Sequence, residues 1–100
     1  MRYMFEISED GVDSYPYMAE DNTYLTDFMT GICRFFDIEP VSRMYIDNMY
    51  DDGSMVRYMP GGEFNSDLTR LSYVLEFPGE EMIFYCGYSM FVLHLKGIMF

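Results

Sequence analysis

One histidine, two cysteines and three closely spaced aspartates are the side chains here whose types could do chemistry. A thiolate beside an imidazole makes a nucleophile, and His94 with Cys33 or Cys86 would supply the pair. No spacing in the chain places either cysteine beside His94, and neither cysteine belongs to a CxxC or CxxH pattern. Cys33 falls in an apolar run of helical period and Cys86 in an apolar strand-like run, where a free cysteine acts as a small hydrophobe. Asp47, Asp51 and Asp52 could gather a divalent ion if a hairpin brought them together. A calcium loop needs oxygen ligands at alternating positions, glycine at the sixth and glutamate at the twelfth. With Gly53 as the sixth position, the third is Tyr50 and the twelfth Met59, so the register fails. There is no glycine-rich phosphate loop followed by lysine and no serine elbow. The expectation is a non-enzymatic protein with no catalytic residues, no cofactor and no bound metal. Binding of a metal or small ligand at the three aspartates is a further reading, against that of a solvated turn.

Charge says more than motif. Seventeen Asp and Glu stand against six Lys and Arg, a formal net charge of −11. The excess is uneven: residues 1–52 hold twelve acids and three bases, the remainder five and three. From Glu6 to Asp27 there are seven carboxylates and no cation. Such a field repels nucleic acid and anionic lipid and steers the chain toward positive surfaces. Duplex binding draws its affinity from cations that release counterions, and a chain with one lysine and five arginines lacks that term. Direct nucleic-acid binding is therefore not expected. The partner expected is a protein with a basic surface. Carboxylates two apart on a strand recur about every 6.5–7 Å, against one phosphate per ~3.4 Å of a DNA strand, so rows of them approximate a phosphate track in sign and, crudely, in spacing. Buried aromatics supply most of the energy of a protein interface. The candidate interface accordingly comprises Glu6, Glu9, Asp10, Asp13, Glu20, Asp21 and Asp27 for charge, with Tyr15, Tyr17 and Tyr24 as anchors and Asp47, Asp51 and Asp52 as an extension. Acids and tyrosines are expected to share one exposed face.

Two resemblances bear on this. Gly61-Gly62-Glu63-Phe64 is similar, over four residues, to the signature hairpin of diguanylate cyclases. One acidic position of that motif is missing and its upstream ligands have no counterpart, so the tetrapeptide reads as a glycine-rich turn after Pro60. In size, acidity and aromatic content the chain resembles, as a class, the phage-encoded inhibitors that occupy DNA-binding surfaces of host defence complexes, the anti-CRISPR and anti-restriction proteins. That resemblance implies competitive occupation of a nucleic-acid-binding site, a DNA mimic among the options, and a place in the host cytoplasm. It carries no motif and assigns no residues.

The elements that must position these side chains follow from apolar period. Half of the residues are apolar, nine Phe and ten Tyr among them, which is enough to build one core. A single domain over residues 1–100 is expected. Met1 to Ile7 alternates as a strand, with Tyr3 and Phe5 on one side and Met4 and Glu6 on the other. A second short strand over Val12–Met18 is confined by Pro16 to an edge, or the segment is a loop. Leu25, Phe28, Met29, Ile32, Phe35 and Phe36 recur at helical spacing, which predicts a long amphipathic helix over about 23–37, capped by Asp21 or Thr23 and ended by Glu39-Pro40. Asp51-Asp52-Gly53 between apolar runs signals a hairpin. Residues 64–77 fit a helix or a strand, with strand favoured for the second half. Strands over Met82–Tyr88 and Met90–Leu95 complete an α+β fold, a mostly antiparallel β-sheet with the one helix packed on it. Met82–Phe100 is interrupted by Gly87, Ser89, His94, Lys96 and Gly97, so paired strands are expected and not a membrane span. The first residues form no apolar secretory core, which points to the cytoplasm. Eleven methionines suit either a core or an adaptable binding surface. A self-associating structural protein that pairs through its apolar C-terminal strands, a homodimer, is the second function expected.

Overall fold

Alternation decides the first strand. β1 (Arg2–Ser8) buries Tyr3, Phe5 and Ile7 and turns Met4 and Glu6 outward, because successive side chains of a strand leave opposite faces. A hairpin returns the chain as β2 (Ser14–Glu20), which lies at one edge of the sheet with Pro16 in it, where a missing N–H is tolerated. The structure, a computed structural model, describes every residue except Asp10. The helix α1 follows (Leu25–Phe35), then β3 (Met44–Met49), β4 (Met55–Met59), β5 (Phe64–Asn65), a single helical turn α2 (Leu71–Val74), β6 (Glu81–Cys86) and β7 (Ser89–Met99). All strands join one seven-stranded sheet in the order β2-β1-β7-β6-β3-β4-β5. Every neighbouring pair is antiparallel except β4–β5.

The expected α+β fold with one long helix is therefore corrected. The fold is a mostly β, mixed seven-stranded sheet with two short helices, 15% of residues being helical. The apolar stripe from Leu25 to Phe36 reads as a longer helix because aromatic packing continues beyond the helical backbone. Neither Asp21 nor Thr23 caps α1. Tyr24 holds an isolated bridge to Arg70, and the first helical N–H groups donate to carbonyls of a loop, Leu25 to Thr69 and Thr26 to Ser66. Tertiary partners thus satisfy donors that a side-chain cap would otherwise serve. At the other end Asp37 adopts a left-handed φ of 55°. The N–H of Ile38 bonds to the carbonyl of Cys33 and that of Asp37 to Arg34, the Schellman pairing that closes a helix before Glu39-Pro40 is reached.

The undecided stretch 64–77 is neither one helix nor one strand. It pairs for two residues as β5, makes the turn α2 and continues as coil, so the strand favoured for its second half is absent. The final strand is longer than its alternation suggests. β7 runs past Leu95 because the register with β1 shifts between Met4 and Phe5, which absorbs Lys96 in a bulge and lets Ile98 and Met99 pair with Tyr3 and Arg2.

The two faces of the sheet differ. One is covered by α1 and α2. There Phe5, Ile7, Ile46, Phe84, Phe91, Leu93 and Leu95 meet Leu25, Phe28, Met29 and Ile32 from α1 and Leu71 and Val74 from α2. Burying each such side chain contributes about 1.5–3 kcal/mol. The other face has no covering element. It carries Met4, Tyr45, Ile83, Tyr85, Met90 and Val92, all half-buried or exposed. Among the described residues no helix is long and apolar enough to cross a membrane.

Candidate interaction surface

The residues expected to form one interface are distributed over several regions. Glu9 and Asp13 sit at the turn of the β1–β2 hairpin and share a shallow notch with Tyr15 and Phe36. Glu20 and Asp21 sit at the opposite end of that hairpin. There Arg2 donates to Glu20 at 2.8 Å, and the Met1 ammonium lies 3.7 Å from Asp21. Glu6 and Glu20 point to the open face, since Glu6 alternates with buried Phe5 and Ile7 and Glu20 pairs with Arg2. Tyr15 and Tyr17 pair with Ile7 and Phe5 and so point the other way. Asp27 is exposed in the first turn of α1. Asp10 lies outside the described residues.

The three tyrosine anchors have intramolecular work. Tyr15 packs edge-on against Phe35 and Phe36, and Tyr17 against Phe35 with Phe28 nearby. A Cβ at Gly31 would strike the Tyr17 hydroxyl, so α1 approaches β2 closely at that point. Burial raises the Tyr17 phenol above its ordinary value. Tyr24 accepts a hydrogen bond from Arg70 at 3.2 Å, with the guanidinium 5.0 Å from its ring. It borders a cleft of about 530 Å³ with Tyr58, Phe64, Leu68 and Tyr73.

The three aspartates separate as well. Asp47 is 4% exposed on β3 and receives two hydrogen bonds from Arg57, at 2.7 and 2.9 Å. Both of its oxygens are thus engaged by one guanidinium, in the bidentate geometry that arginine favours. Asp51 and Asp52 lie in the β3–β4 turn. Asp52 accepts from the hydroxyl and the backbone N–H of Ser54 (2.6 and 2.9 Å), the hydroxyl bond being the main cause that lowers its carboxyl below the usual range. Among the described residues no group of three metal-ligating side chains forms.

What the fold does assemble is a cleft of about 610 Å³ between that turn and the loop before β6. Met49, Tyr50, Phe77, Pro78 and Ile83 supply its apolar wall, and Asp51, Glu80 and Glu81 its carboxylates. No cation lines it. Glu80 holds the loop in place by accepting the N–H groups of Glu76 and Phe77 at 2.7 and 2.8 Å. That pose leaves Phe77 67% exposed beside the acids. Sequence reasoning missed Phe77, Glu80 and Glu81 because its weight lay on the acid-rich first half. The signal available was Pro78-Gly79-Glu80-Glu81, a turn with two carboxylates next to an aromatic residue.

The two cysteines are kept apart from the histidine. Cys33 on α1 and Cys86 on β6 are buried on the helix side, their sulfurs 3.7 Å apart. Burial first, and the neighbouring thiol second, push Cys33 up to about 12. His94 lies on the other face of the sheet, 3.0 Å from Glu81. No protein-family model matches the chain, and no curated protein or solved structure matches it.

Proposed function

We propose that this chain is a non-enzymatic acidic binding protein that docks on a basic, nucleic-acid-recognising surface of a partner protein, and that it does so in the cytoplasm. The observation that carries this reading is the cleft beside Phe77, where three carboxylates adjoin exposed apolar side chains with no cation among the lining residues. An arginine or lysine of the partner has both halves it needs there. Its aliphatic stem lies along Met49, Phe77 and Ile83, and its charged head reaches Asp51, Glu80 or Glu81. The acids elsewhere on the surface contribute through the long-range field, which raises the rate of encounter more than the strength of the complex. Phage-encoded inhibitors of defence complexes fit this description as a class, by size and charge.

The test is retention of purified nucleic-acid-binding complexes on the immobilised protein, eluted with a salt gradient and challenged with each complex's own DNA or RNA. The expected result is a complex released at moderate salt and displaced by its nucleic acid. Phe77→Ala combined with Asp51→Asn is expected to weaken retention at least about tenfold, as loss of an interface anchor does. Retention that ignores both salt and these substitutions overturns the reading.

A further inference from the structure

The open face of the sheet differs in charge from the rest of the molecule. The three side-chain ion pairs between permanent charges of the described residues lie on it, Arg2–Glu20, Lys96–Glu6 and Arg57–Asp47, and so does the hydrogen bond of His94 with Glu81. Four carboxylates there meet three permanent cations and one neutral histidine, a formal charge of −1. The other −10 of the chain's −11 therefore lies elsewhere. Methionine gathers on the same face, since Met4, Met18, Met49, Met55, Met90 and Met99 all occupy outward positions of the strand registers. At its centre Tyr45 and Tyr85 stack at 4.9 Å, Arg57 lies 4.1 Å over the Tyr45 ring, and Ile83 pairs with Val92. Adaptable thioethers around a tyrosine–arginine centre are the side-chain types enriched at protein interfaces.

We propose that this face is covered by a second copy of the chain, packed sheet against sheet. Charge selects that occupant. A strongly basic partner gains little from a surface already neutralised by its own cations. A second copy, by contrast, approaches this near-neutral face against little of the repulsion that the net charge of −11 imposes on the molecule as a whole. Size agrees. The protein measures 32 × 31 × 26 Å, and six strand spacings of ~4.8 Å by ~20 Å of strand length give roughly 600 Å² of face. Two copies then bury roughly 1,200 Å², the lower bound of a specific stable interface. The arrangement is isologous, so each residue of the face meets the partner's face across a two-fold axis. The acidic cleft beside Phe77 shares Met49, Glu81 and Ile83 with this face, so a second copy and a basic partner compete for those residues.

Salt dependence separates this interface from the proposed basic partner. Two copies at −11 repel over a distance that salt shortens, so association between copies strengthens as salt rises from roughly 0.05 to 0.5 M, whereas attraction to a basic partner weakens. Sedimentation equilibrium of the full chain across that range is expected to give twice the chain's mass, with tighter association at the higher salt. Met90→Glu, at an exposed position, and Val92→Glu, at a half-buried one, each place two new carboxylates in the interface. Each is expected to raise the dimer dissociation constant at least about tenfold, with circular dichroism confirming that the variants fold. Tyr73→Ala, beside the other cleft, is expected to leave it unchanged. A monomer at every salt concentration overturns the proposal. So does a dimer that survives both glutamate substitutions, or one that only Tyr73→Ala dissolves.

Discussion

The two faces of one sheet are built from alternate residues of the same strands, yet they follow different rules. The helix-covered face is filled with Phe, Leu and Ile and has almost no charge. The open face has Met and Tyr, and every charge on it but one is answered by an opposite charge beside it. Met82 and Phe84 of β6 are buried while their neighbours Ile83 and Tyr85 are only half covered. The contrast shows that the acid excess is not spread evenly. The four acids of the open face each stand beside a basic side chain or His94, whereas the hairpin end holds the pair of the Met1 ammonium with Asp21.

Truncation separates the two faces by the largest margin. Phe84→Ala removes a ring packed at 5.7 Å against Phe91 and is expected to cost about 3–5 kcal/mol. Ile83→Ala, one residue away, is expected to cost under about 1 kcal/mol in the monomer. Denaturant titration of both variants decides this, and equal costs would mean that the two faces are equally covered. Alkaline pH sharpens it next. On the helix side burial holds Cys33 up to about 12 and Tyr58, which also bonds to Tyr50, up to about 12. Below the ordinary values of 9.0 and 10.0 both groups are protonated folded or unfolded, and stability is undiminished. Between those values and 12 the unfolded chain releases protons that the folded chain keeps, so stability falls as pH rises. Thermal melts from neutral pH to pH 11 are expected to decline above about pH 9, with Cys33→Ala shifting the onset upward. On the open face, Arg57→Met strands the Asp47 carboxylate, which is only 4% exposed, so a loss of about 3–5 kcal/mol is expected. Restoring most of it with Asp47→Asn in the same chain would identify the pair as the cause.

Much of the fold was legible where a period repeats without interruption. Tyr3, Phe5 and Ile7 marked a strand, Pro16 left an edge strand or a loop of which the sheet has the edge strand, and Asp51-Asp52-Gly53 marked the turn at which Gly53 takes φ 85°. The site was less legible. Tyr15 and Tyr17 look like interface anchors among acids, and only the packing of α1 shows that Phe35 and Phe36 already occupy them. Phe77, 67% exposed beside Glu80 and Glu81, lies in a loop without period.

By itself the sequence determined the charge, the stock of apolar residues and the local alternations, because each is a property of residue type or of neighbours a few positions apart. Only the tertiary structure decided where α1 starts, since loop carbonyls of Ser66 and Thr69 stand in for a cap. It alone decided that Asp47 is answered by Arg57 and that Cys33 and Cys86 meet. Each of these joins residues brought together by strand order and helix docking, and local spacing carries no record of that order.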